Sequence, residues 1–204
     1  KKLPLTETSA TEPINPYGRS KLMIEQILAD CAAAWGLSYI VLRYFNACGA
    51  HREALTGELH DPETHLIPNV LKAIKSGKKT LNVFGDNYKT RDGTCVRDYI
   101  HVEDLCQAHS LALAALDRGI ENHIFNLGNG SGYSVKEVVA MAETVTGKKA
   151  KVKIAPPRPG DPATLIASAA KAKKVLGWKP GYGLEDIVRT AWLWETKQCQ
   201  SDSP

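Results

Sequence analysis

Tyr17 and Lys21 stand four residues apart in Asn15-Pro16-Tyr17-Gly18-Arg19-Ser20-Lys21, a spacing that puts two side chains on one face of a helix. A phenol beside an ammonium is an acid/base device. An isolated tyrosine titrates near pKa ~10, and a neighbouring cation together with a helix N-terminus stabilises its phenolate. A tyrosine in that setting can move protons to and from an alcohol. Of the seven tyrosines only Tyr17 has a lysine at this spacing, yet the pair alone is equally compatible with a packed tyrosine beside a solvated lysine.

The elements around the pair are legible from local chemistry. Asn15 suits a helix N-cap and Pro16 the first helical position, and the helix should run to Trp35 and stop at Gly36. Ser38 to Phe45 is dense in β-formers without alternation, the pattern of a strand buried on both faces of a parallel sheet. Helix feeding strand is the α/β repeat. Gly49 to His65 is polar and reads as a long loop, followed by a helix from Ile67 to Lys75. Strands are predicted at Leu81 to Phe84, Val96 to Val102, Ile124 to Leu127 and Lys151 to Ile154. Further helices are predicted at Glu103 to Leu116, from a Ser134 and Glu137 capping box to Gly147, over Ser168 to Leu176, and over Leu184 to Thr196.

The intervening segments are irregular. Pro156 to Pro162 holds too many prolines for regular structure. Gly128-Asn129-Gly130-Ser131-Gly132 follows a strand and precedes a helix, but its spacing is wrong for a dinucleotide-binding turn, and it reads as a turn that can line a ligand. Trp192 and Trp194 read as packing residues and Gln200 to Pro204 as a frayed tail.

Composition narrows the class. The 204 residues are 43% hydrophobic, enough for an ordinary globular core. No apolar run approaches the ~18 residues of a membrane span, and Lys1 to Glu7 lacks the apolar core of a signal peptide. A cytoplasmic protein with no membrane partner is expected. Five cysteines with no Cys-x-x-Cys pair read as reduced, mostly buried thiols. The net charge of +4 is modest, and the basic runs Lys148 to Lys153 and Lys171 to Lys174 lack interleaved aromatics, so they read as solvated faces and no nucleic-acid partner is expected. His60 and His65 share an acid-rich loop that reads as solvated, and no metal is expected.

Four motifs then follow in order: Asn15-Pro16-Tyr17-Gly18 with Ser20-Lys21, Leu42-Arg43-Tyr44-Phe45-Asn46, Asp92 to Val102, and Arg158-Pro159-Gly160-Asp161. With them the chain resembles, over nearly all its length, the C-terminal part of the UDP-glucose 4-epimerases in the extended short-chain dehydrogenase/reductase family. The resemblance implies an α/β fold, the C-terminal part of a Rossmann-type doubly wound parallel sheet plus a smaller α/β substrate-binding domain. Residues 1–46 would belong to the NAD-binding Rossmann domain and 47–204 to the UDP-sugar-binding domain, with some segments returning to the Rossmann sheet. It also implies that the N-terminal half of the cofactor domain is absent: about 120 preceding residues, with the Gly-rich cofactor turn and a catalytic serine or threonine, are not represented. On that basis the 204 residues alone would be inactive, and the complete protein would be a homodimer.

The implied chemistry is reversible hydride transfer with NAD as cofactor. Tyr17 would take the proton from the sugar 4-hydroxyl of a UDP-sugar as the 4-hydrogen leaves as hydride. The 4-keto sugar would turn over and be reduced on its other face. Lys21 would bind the nicotinamide ribose and Phe45 would sit near the nicotinamide. Arg97 and Arg158 would hold the diphosphate and Asp161 a ribose hydroxyl, with Asn46, Leu66, Asn82, Val83 and Phe84 completing the nucleotide pocket. Without the resemblance, Arg97 reads as a structural ion-pair residue and Arg158 as a solvated loop arginine. Leu165 would lie beside the sugar 2-substituent, which makes glucose and galactose the main substrates and leaves N-acetylated sugars open. The alternatives are another nucleotide-sugar epimerase or dehydratase of the same family, or a non-catalytic UDP-sugar-binding fragment.

Overall fold

The computed structural model describes the backbone of residues 3–201 and the side chains of residues 3–197. Helix α1 (Pro16–Trp35) starts and stops on the expected signals. The Asn15 side chain accepts from the Gly18 N–H at 2.8 Å, and Gly36, at φ 70°, donates back to the Ala32 carbonyl. Strand β1 (Ile40–Tyr44) follows and lies parallel to β6 (His123–Leu127). Contrary to the expectation of burial on both faces, β1 is only half-buried. Its Ile40 and Leu42 pack on a core of Ile100, Leu105, Phe125, Leu127 and Trp178, but α1 contributes no buried residue to cover it.

The first core is completed by α3 (Val102–Leu116) and α5 (Ala170–Leu176), which pack on β1 and β6. A second core lies where α2 (Leu66–Ser76), α4 (Val135–Thr146) and α6 (Leu184–Ser201) meet around Val70, Leu71, Val138, Ile187 and Val188. Beneath it runs a parallel pair, β3 (Thr80–Phe84) with β8 (Lys151–Ala155). Each large apolar side chain fully buried in these cores contributes about 1.5–3 kcal/mol. The expected capping box is present: Ser134 accepts from the Glu137 N–H while the Glu137 carboxylate accepts from the Ser134 N–H.

The expected strand from Val96 to Val102 divides at Asp98. Strand β4 (Val96–Arg97) lies between β7 (Tyr133–Ser134), antiparallel, and β9 (Thr164–Leu165), parallel. Strand β5 (Tyr99–His101) instead joins β2 (Asn46–Cys48). The fully buried Asp98 explains the division. Its carboxylate accepts from the N–H groups of Asn129 at 2.7 Å, Gly130 at 3.2 Å and Ala167 at 3.1 Å, and its backbone bridges Leu165 and Asn46. Burial pushes this carboxyl above its ordinary pKa, against the pull of the three N–H donors. The glycine-rich segment is therefore a turn whose Asn129 and Gly130 N–H groups point inward at Asp98. Only glycine fits at 128, because a Cβ there would lie 2.4 Å from Asp98 Oδ2 and 2.7 Å from the Ala167 Cβ.

Three smaller expectations change. The last helix runs through Ser201, past the expected start of the tail, and Asp202 to Pro204 lie outside the described residues, as does the Cys199 side chain. The other cysteines are free thiols, but only Cys48 and Cys95 are buried, Cys31 being partly exposed and Cys106 exposed. The two short strands β7 and β9 were not predicted. Among the described residues no helix is long and apolar enough to cross a membrane.

Candidate active site

Tyr17 sits in the first turn of α1 with 73% of its surface exposed, and the Lys21 ammonium lies 5.1 Å from its ring centroid. The helix bringing them there is tethered by charge rather than by burial. Arg43 on β1 grips Glu25 with two hydrogen bonds, Nε to Oε1 at 2.6 Å and Nη2 to Oε2, and the Glu25 carboxylate raises the guanidinium above its ordinary pKa. Hydrogen bonds of this charged kind are worth about 1.5–3 kcal/mol. We therefore expect Glu25→Ala to speed amide exchange along Pro16–Trp35 by roughly tenfold or more. Unchanged exchange would show that α1 is held by something else.

The segment before α1 is laid along the far end of the chain. Leu5 donates to the Ile166 carbonyl at 2.8 Å, and its own carbonyl accepts from Ser168 N–H at 2.7 Å and from Asn126 Nδ2 at 3.1 Å. Glu7 Oε1 accepts from the Asn126 N–H at 2.8 Å. Farther along, a Cβ on Gly160 would lie 3.4 Å from Ile14 Cδ1. The proline-rich loop at Arg158 to Asp161 thus adjoins the segment that leads into Tyr17.

That loop meets Arg97 of β4. Arg97 donates from Nη2 to Asp161 Oδ1 at 3.0 Å and from Nη1 to the carbonyls of Pro162 at 2.8 Å and Val96 at 2.9 Å. A guanidinium has five N–H donors, so the Nε–H and one Nη2–H are left as a side-on fork. The Arg158 guanidinium carbon lies 4.1 Å from the Phe84 ring centroid, and the Asp161 N–H donates to the Arg158 carbonyl at 3.3 Å. Leu165 is paired with Arg97 in the sheet. Arg97, Arg158, Asp161, Leu165 and Phe84 are therefore brought together.

The remaining candidates fall around this group. Asn82 and Phe84 are on the exposed face of β3, whereas the Val83 side chain is buried in the second core, leaving only its backbone for a ligand. Asn46 uses its Nδ2–H on the Asp98 carbonyl at 2.9 Å. Phe45 is half-buried between β1 and β2. Leu66 opens α2 and packs against the second core; neither it nor Asn46 makes a described hydrogen bond to the Arg97 group. Sequence reasoning missed Tyr88, whose hydroxyl is pushed above its ordinary pKa by burial and by the Cys95 thiol beside it, with smaller effects from the charges of Asp161 and Arg97. Its one signal was an aromatic residue within the turn-rich Gly85 to Gly93 loop.

A tyrosine and lysine on one helix, whose leading segment adjoins the loop of Arg158 to Asp161 on a parallel α/β frame, narrow the class. The chain belongs to the NAD dependent epimerase/dehydratase family, whose sequence model matches residues 1–128. Within that family it is 50% identical over 193 residues to a UDP-glucose 4-epimerase of Halalkalibacterium halodurans, a match covering 94% of this chain and 58% of the relative. Among solved structures, a UDP-glucose-4-epimerase from Stenotrophomonas maltophila with bound NAD and formylated UDP-arabinopyranose superposes with a TM-score of 0.94 at 42% identity, over 98% of this chain and 60% of that one. The Bifidobacterium longum UDP-glucose 4-epimerase in complex with NAD+ and UDP gives 0.91 at 43% identity, over 98% and 60%. The chain thus spans about 60% of the length of these relatives.

Proposed function

We propose that this chain carries the proton-transfer pair and the nucleotide grip of an NAD-dependent UDP-sugar 4-epimerase, an isomerase acting on UDP-glucose and UDP-galactose. The observation that carries the reading is the meeting of the Arg158 to Asp161 loop with the segment entering Tyr17. It is supported by the names and bound ligands of the relatives.

Tyr17 takes the proton from the sugar 4-hydroxyl and returns it, with the Lys21 ammonium held 5.1 Å from its ring centroid. The donor set suits the cofactor: an exposed phenol and ammonium on one helix face match ribose hydroxyls, and Phe45 offers an apolar wall to the nicotinamide. NAD held by these residues would supply reversible hydride acceptance at the sugar carbon. Arg97 and Arg158 hold the diphosphate, the open Arg97 fork pairing with phosphate oxygens. Asp161 accepts from a ribose hydroxyl, Tyr88 supplies a hydroxyl, and the backbone around Leu66, Asn82, Val83 and Asn46 completes the pocket. Leu165 beside the sugar sets glucose and galactose ahead of N-acetylated forms. We place the enzyme in the cytoplasm, consistent with its free thiols. Dimerisation through α1 is the matching assembly, since Met23, Ile24, Ile27 and Trp35 are exposed there.

Binding tests the nucleotide half separately from turnover. Arg97→Met keeps the aliphatic stem and removes the fork, so UDP affinity by calorimetry should fall at least about tenfold, equivalent to ~1.4 kcal/mol. An affinity equal to that of the unaltered protein would return Arg97 to a purely structural role.

A further inference from the structure

The long loop before α2 does not fold as a merely solvated segment. Glu58, His60, Glu63 and His65 each turn one ligand atom inward, and these atoms lie within 4.8 Å of one another. His65 Nδ1 is 2.9 Å from both Glu58 Oε1 and Glu63 Oε1, and His60 Nδ1 is 3.2 Å from Glu58 Oε1 and 3.8 Å from Glu63 Oε2. We propose that these four side chains form a site for one divalent transition-metal ion, with Zn2+ the best-matched ion.

The distances favour a metal over hydrogen bonding alone. Each Nδ1 carries at most one proton, so two protons would have to serve the three nitrogen–oxygen contacts of 2.9–3.2 Å. Four donors about 2.0–2.1 Å from a tetrahedral Zn2+ stand about 3.3–3.4 Å apart, and the observed separations bracket that value. Glu63 gives a second, independent indication. Its side chain is only 6% exposed; Oε1 accepts from the Thr64 and His65 N–H groups at 2.8 Å, whereas Oε2 is buried with no hydrogen-bond partner and is ion-paired with Lys72 at 3.7 Å. Two imidazoles with two carboxylates suit Zn2+ better than Mg2+ or Ca2+, which favour all-oxygen sets.

The scaffold is already organised. The Glu58 carbonyl accepts from Trp194 Nε1 at 3.0 Å, and Gly57 lies flat on the Trp194 ring, where an added Cβ would come within 2.3 Å. Asn69 Nδ2 donates to the carbonyls of Glu63 at 3.2 Å and His65 at 2.9 Å. Both histidine side chains are about half exposed, at 48% and 52%, so an ion can enter from solvent. Bound there, it would staple the loop to the start of α2.

The test uses tag-free protein stripped with a chelator, titrated with Zn2+ by calorimetry and with Co2+ by visible absorption. We expect one ion per chain, Co2+ bands of four-coordinate intensity, and at least a tenfold loss of affinity in each of His60→Gln and His65→Gln. Lys72→Met, which removes a competing cation beside Glu63, should tighten Zn2+ binding, an outcome that misfolding cannot produce. The proposal is overturned if Zn2+ does not bind, if binding survives both histidine substitutions unchanged, or if Zn2+ moves the imidazole nitrogen resonances of other histidines but not those of His60 and His65.

Discussion

Tyr17→Phe, made in the protein that carries this chain, slows interconversion of UDP-glucose and UDP-galactose by at least ~100-fold, the lower end of what a positioned proton-transfer group contributes. The substitution removes one oxygen from a side chain that is 73% exposed and packs little, so the fold has almost nothing to lose. UDP affinity should stay unchanged, because the nucleotide grip is assigned to the Arg97 group. A fall in kcat with intact UDP binding is the signature of an interaction made with the reacting hydroxyl. Turnover within a few-fold of normal would remove Tyr17 from the chemistry and leave the tyrosine and lysine as neighbours on a helix.

Asp98→Ala has the largest expected effect on stability, a loss of about 2–4 kcal/mol in urea unfolding, because three buried N–H groups lose their acceptor together. The pH dependence has a definite sign. Burial raises the folded-state pKa of Asp98 above its unfolded value, so the stability it contributes is fully present below the ordinary aspartate value of about 3.9 and is lost as pH rises through the raised folded value. The gap in stability between the unaltered chain and Asp98→Ala should therefore be wider in acid than at neutral pH. A gap that widens toward neutral pH would mean that the three N–H donors outweigh burial and hold the carboxylate ionised.

Much of the frame was legible because its signals are local. Asn15, Pro16 and Gly36 bound one helix, and Ser134 with Glu137 caps another, through contacts only a few residues apart in sequence. Asp98 was not legible, since the partners that split the strand lie at Asn129, Gly130 and Ala167. Strands of two residues such as β4, β7 and β9 are too short to show any periodicity. The exposure of α1 was also hidden: Ile24 and Ile27 have the spacing of a core face yet remain exposed. At the site, the order of motifs pointed to Tyr17, Lys21, Arg97, Arg158 and Asp161 as candidates. Tyr88 and the Glu58, His60, Glu63 and His65 cluster emerge only after a loop folds back and is clamped, in the second case by Trp194 from the last helix.

The most direct measurement is to supply the protein that carries this chain with NAD and either UDP-galactose or UDP-glucose and to resolve the nucleotide sugars by chromatography. Both starting sugars should reach the same mixture of UDP-glucose and UDP-galactose with no net formation of NADH. A sample that binds NAD and UDP yet interconverts neither sugar, or that accumulates a dehydrated keto sugar, would contradict the proposed 4-epimerase activity.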